Sequence, residues 1–73
     1  MMYYYIDFEA SEAEKKIISV GCICEDGREF YSLVNTDDPI TFRITQITGI
    51  TQEDVDDAPS SEKVFADLFD WCY

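Results

Sequence analysis

Basic residues are scarce. Lysine and arginine number 5 against 16 aspartate and glutamate, for a formal net charge of −11 and a pI near 4.1. A chain of that balance repels polyanions and cannot grip a phosphate backbone by general electrostatics. Any nucleic-acid chemistry then needs bound cations to reverse the local sign. Long apolar runs are missing too: none approaches the ~20 residues that span a bilayer, so no membrane partner is expected. The first five residues, Met-Met-Tyr-Tyr-Tyr, carry no basic stretch and so do not read as a signal peptide. Cysteines number only 3, an odd count without the density of a disulfide scaffold. A reducing compartment, the cytoplasm, is the simplest expectation. No repeat, linker or low-complexity tract appears.

What is present suits one small domain. The chain has 73 residues, 47% apolar and 15% aromatic, too rich in core formers for a disordered acidic tail. Residues 3–10 are almost continuously aromatic or aliphatic, broken by Asp7 and Glu9. That pattern suits a strand buried on both faces at the centre of a sheet. Residues 11–16 are polar and read as a connection. Ile17–Cys24 forms the second strand, and Asp26-Gly27 follows at once as a tight turn whose two central residues tolerate positive φ. Residues 29–34 return as the third strand, and 36–39 form a loop.

The periodicity changes after Pro39. Phe42, Ile44 and Ile47 fit a short helix stopped by Gly49. Thr51 and Asp54 have the spacing of a capping box around a single turn. Ser60 and Ser61 cap a final amphipathic helix over 61–73, with Val64, Phe65, Leu68, Phe69 and Cys72 on one stripe. The order is β-β-β-α-α, an α/β chain with three antiparallel strands. A central first strand needs neighbours on both sides, and the hairpin supplies only one. Its other edge is left open to pairing, including with a second copy of the chain.

Asp7 and Glu9 stand two apart on a strand, so both side chains leave the same face with Cβ atoms ~7 Å apart. Oxygen ligands of this kind suit Mg²⁺ or Mn²⁺. Two such ions ~4 Å apart can activate a water and stabilise a leaving oxygen in phosphodiester cleavage. A solvated strand face explains the same tripeptide, and by themselves the two residues leave both readings open. Cys22 and Cys24 also share a strand face but read as core thiols, short of zinc-ligand spacing. The tyrosines at 3–5 could stack bases but read as core. The run Glu53, Asp54, Asp56, Asp57 lacks calcium-loop spacing and reads as solvated helix surface.

The stretch Tyr4-Tyr5-Ile6-Asp7-Phe8-Glu9-Ala10-Ser11 resembles the first motif of the DEDD-type (DnaQ-like) 3′–5′ exonucleases, the family of the proofreading subunit of DNA polymerase III. The block Ile44-Thr45-Gln46-Ile47-Thr48-Gly49-Ile50-Thr51 and its continuation to Pro59, followed by Val64-Phe65 and Phe69-Asp70-Trp71, is similar to the Eri/KapD-like branch, whose members trim RNA 3′ ends. The resemblance runs along nearly the whole chain. It implies the N-terminal part of a ribonuclease-H-like exonuclease fold, with 1–73 as one partial domain.

It also implies roles. Asp7 would bridge two metal ions, and Glu9 would bind the ion that holds the attacking water. Phe8, Ala10 and Ser11 would meet the terminal nucleotide of RNA or single-stranded DNA, largely through the main chain. Ile47 falls in a block that lines the base pocket of some members, although its periodicity reads as core. The family's second-motif Asp and its third-motif His and Asp have no counterpart here, and the sequence contains no histidine at all. The chain alone is therefore expected to be inactive, needing further segments or a partner polypeptide. A rival expectation from charge is a small acidic protein that mimics nucleic acid and blocks a nucleic-acid-binding partner.

Overall fold

The computed structural model describes residues 2–73. Three strands form an antiparallel meander in the order β1-β2-β3: β1 is Tyr4–Ala10, β2 Ile17–Cys24 and β3 Glu29–Leu33. The sequence places β1 at the centre of its sheet, but within the described residues β2 holds that position. β1 pairs only with β2, so the expectation of burial on both its faces fails. Tyr3 and Tyr5 are 62% and 68% exposed, and only Tyr4 packs against the core. Continuous apolar character marked a strand with much to cover; these residues cover it only in part.

The β2–β3 turn also differs in detail. The Cys24 amide donates to the Arg28 carbonyl and the Gly27 amide to the Cys24 carbonyl, each at 2.9 Å. The loop is thus Glu25-Asp26-Gly27, with Gly27 alone at positive φ (95°). A three-residue loop of this type needs only its last residue left-handed, so Asp26 keeps ordinary backbone angles. The Asp26 carboxylate accepts from the Arg28 amide and from its Nε, and this holds the Asp26 carboxyl below its usual range.

Three helices follow: α1 (Phe42–Thr48), α2 (Gln52–Asp56) and α3 (Ser61–Cys72). Each starts where a side chain satisfies a free amide. Thr41 accepts from the Ile44 N–H, Thr51 from that of Asp54 and Ser60 from that of Lys63. Gly49 ends α1 at φ 80°. The segment after Thr51 is a helix of its own rather than a single turn. Its capping box closes both ways, and Val55 is fully buried.

α3 covers one face of the sheet. Val64 and Leu68 meet Val20, Cys22 and Val34, flanked by Tyr4, Phe30, Phe65 and Trp71. Cys72 packs against this same cluster, which contains Cys22. Burial pushes the Cys22 thiol up from its ordinary pKa. A second cluster of Ile18, Ile50 and Val55 anchors α2 and the approach to α1. Three residues of the apolar patterns miss the core: Phe42 is 77% exposed, Ile47 67% and Phe69 63%. α1 buries no residue completely. The acidic residues 53, 54, 56 and 57 are all exposed, as expected of a solvated helix surface. No helix among the described residues is long and apolar enough to cross a membrane.

Candidate active site

The alternation of β1 sends Tyr4, Ile6 and Phe8 toward the α3 side and Asp7 and Glu9 toward the opposite face. Across that open face the register aligns Asp7 with Gly21 and Gly21 with Tyr31; one row on, Glu9 aligns with Ser19 and Ser19 with Leu33. Asp7 and Glu9 share an open depression of about 290 Å³ with Ser19, Gly21 and Tyr31. The end of α1 closes one side through Thr48 and Ile50. A neighbouring depression of about 310 Å³ shares Asp7, Gly21 and Tyr31.

The two carboxylates are free to bind. Asp7 is exposed and Glu9 half-buried, and none of the ion pairs among the described residues involves either. Gly21 forms the floor between Asp7 and Tyr31. A Cβ built there would meet Tyr31 Cδ1 at 3.9 Å and the Asp7 carbonyl oxygen at 4.0 Å. The strand slips register between Glu9 and Ala10, a bulge that re-aims the chain just past the second carboxylate. As a donor set, two neighbouring carboxylates suit a hard divalent ion but supply only part of its coordination shell. Among the described residues no three His, Cys, Asp or Glu side chains converge on one point.

The remaining expected site residues stand apart from that face. The Phe8 ring packs 6.4 Å from Phe65 on the helix side. Ala10 is half-buried opposite Ile17, beyond the bulge. Ser11 is 1% exposed, and its hydroxyl accepts from the Lys16 amide at 2.9 Å. Only the main chain of this segment can meet a ligand at the carboxylates. Sequence reasoning missed Gly21, Tyr31 and Thr48 as neighbours of the site. The β1–β2 register passes through a bulge and a six-residue connection, so it cannot be counted from the turn.

Asp38 was also missed. It is 2% exposed, and its carboxylate accepts from the Glu14 amide at 2.9 Å. The neighbouring Ser11 hydroxyl and the Glu14 amide hold its carboxyl below the usual range. The sequence marks 36–39 only as a loop, and nothing in it signals that this acid is buried.

The largest groove, about 470 Å³, lies elsewhere, between the unpaired edge of β1 and α3. Met2, Tyr4, Ile6, Leu68, Phe69 and Cys72 line it. It is apolar and holds no carboxylate, so it is a surface left uncovered at the sheet edge rather than a centre of chemistry.

Solved structures share this arrangement. The nuclease domain of 3′hExo, described as a DEDDh family member and bound to rAMP, superposes with a TM-score of 0.83 at 25% identity over 96% of this chain. A 3′-exonuclease solved in recognition of the histone mRNA stem-loop gives 0.82 at 22% identity, also over 96%. Cell-death related nuclease 4 (CRN-4) gives 0.84 at 17% over 97%. The chain spans 42%, 38% and 29% of the lengths of those three proteins. No curated protein sequence matches it significantly. The RNase_T exonuclease family model matches residues 5–73, and the chain belongs to that exonuclease family.

Proposed function

We propose that these residues form half of a two-metal 3′–5′ exonuclease site acting on the 3′ end of RNA or single-stranded DNA. The observation that carries this reading is the pairing of Asp7 with Glu9 on one open sheet face, without a basic partner, beside a depression floored by Gly21. Asp7 and Glu9 would hold Mg²⁺ or Mn²⁺, which when bound polarises a phosphodiester and lowers the pKa of a water. The chain's own part is to present two carboxylates at fixed spacing and to offer the main chain of Phe8, Ala10 and Ser11 to the terminal nucleotide. Ile47, exposed on α1, is available to the base of that nucleotide. The negative charge of the site without ions makes nucleic-acid binding dependent on the metal.

Two carboxylates and no histidine leave coordination and proton transfer incomplete. We infer that residues 1–73 alone do not cleave, and that further groups come from additional polypeptide. The free edge of β1, with Tyr5, Ile6 and Phe8 exposed along it, is the place where an added strand or a second copy would pair. Sedimentation showing a strict monomer at high concentration counts against self-pairing.

Mn²⁺ titration followed by NMR tests the site. Broadening should centre on Asp7, Glu9 and Gly21 and vanish in Asp7→Asn. Broadening elsewhere, or unchanged in that variant, removes the proposal. A 3′-labelled RNA should remain intact with the chain and Mg²⁺. Asp7-dependent degradation of it would refute the inferred inactivity.

A further inference from the structure

α1 is seven residues long and buries none of them completely. A helix that short is not stable by itself and has little apolar contact to fix its place. Yet it brings Thr48 to the rim of the depression that holds Asp7 and Glu9. Two side-chain ties set its position against the connection that follows Glu9. At the first, the Thr41 hydroxyl, at the N-cap of α1, donates to the Glu12 carboxylate at 2.6 Å. At the second, Asp38, three residues before that cap, reaches back into the connection. Its buried carboxylate accepts from the Glu14 amide at 2.9 Å.

The connection is closed on itself as well. The Ser11 amide donates to the Lys16 carbonyl at 2.8 Å, and the Ser11 hydroxyl accepts from the Lys16 amide. Lys15 takes a left-handed conformation, φ 57°, inside that loop. Two ties thus couple this closed loop to the start of α1 and the residues before it. The two ties run in opposite directions: an acid of the loop grips the helix, and an acid before the helix grips the loop.

We propose that Glu12 and Asp38 are positioning residues that set how α1 sits against the chain following Glu9, and so how Thr48 closes the depression at Asp7 and Glu9 around a terminal nucleotide. This rests on the exonuclease reading above. Neither residue lines the depression that holds Asp7 and Glu9. Glu12 acts through Thr41 and Asp38 through Glu14, so the loss of either should loosen nucleotide binding and leave ion binding alone.

The test titrates the chain with AMP in the presence of Mg²⁺, and separately with Mn²⁺, following both by NMR. In the wild type AMP should shift amides of residues 11–16 and of α1. Glu12→Ala and Asp38→Ala should each weaken AMP binding by about tenfold, the scale of a lost charge-assisted hydrogen bond. Mn²⁺ affinity should stay within about twofold in both. Glu12→Gln, which keeps an acceptor for the Thr41 hydroxyl, should restore AMP binding. The positioning role is overturned if both alanine variants bind AMP normally, if AMP and Mn²⁺ affinities fall together, if the glutamine variant fails to restore binding, or if AMP leaves residues 11–16 and α1 unshifted. Those outcomes leave the carboxylate site standing. Loss of Mn²⁺ broadening around Asp7 in the wild type overturns the site itself, and the positioning role with it.

Discussion

Asp7 and Gly21 are register partners across β1 and β2, and the absent side chain of Gly21 leaves the space beside the Asp7 carboxylate open as far as Tyr31. A carboxylate with no basic partner and an open neighbour is placed to take a cation and whatever the cation holds.

Divalent ions should therefore stabilise the fold. A ligand that binds only the native state raises stability by RT ln(1 + [L]/Kd), about 2.7 kcal/mol at one hundred times Kd. Adding Mn²⁺ should raise the Tm of the wild type and leave Asp7→Asn unmoved. Without metal that variant should melt at or slightly above the wild type, because it removes one of 16 acids from a chain at −11. A thermal melt with and without Mn²⁺ checks both halves.

Gly21→Ala should fold, since its Cβ meets nothing nearer than 3.9 Å. Its stability should rise by roughly 0.5–1 kcal/mol, the ordinary difference between glycine and alanine within a strand. Gly21→Leu should fold as well but fill the depression between Asp7 and Tyr31, and so weaken Mn²⁺ and AMP binding together. Unimpaired binding in the leucine variant would show that this space is not used.

Leu68→Ala should cost about 2–5 kcal/mol. Leu68 sits at 7% exposure among Val20, Cys22, Val34 and Val64, the cluster that holds α3 on the sheet. A domain this small has little stability to spare, so the variant should be largely unfolded at 37 °C by circular dichroism.

Acid should loosen the connection after β1. The Asp38 carboxyl titrates below its ordinary value because the Ser11 hydroxyl and the Glu14 amide favour the ionised form. Its contribution is thus full above the unfolded carboxylate pKa of about 3.9 and is lost as pH falls through the lower folded value. Tm measured from pH 6 down to pH 2 should fall less steeply over that window for Asp38→Asn than for the wild type. Parallel profiles would mean that Asp38 carries no such linkage.

Local chemistry determined the elements. The period of two placed Asp7 and Glu9 on one side of a strand. Thr51 with Asp54, Ser60 and Gly49 marked helix ends, because free amides and a left-handed cap need those residue types at those positions. The resemblance carried by residues 4–11 and 44–59 agreed with the family that the whole chain matches. Only the tertiary structure decided which surfaces are covered. β1 looked central by its apolar run and lies at an edge, and Ile47 and Phe69 fit apolar stripes yet face solvent. Asp38 lies in a segment read only as a loop and is buried with the Glu14 amide on its carboxylate. Periodicity records which way a side chain points, but burial depends on what arrives opposite it from far along the chain. Here that is set by a register slipped at a bulge and by two short helices tied through polar side chains, and neither leaves a local pattern to read.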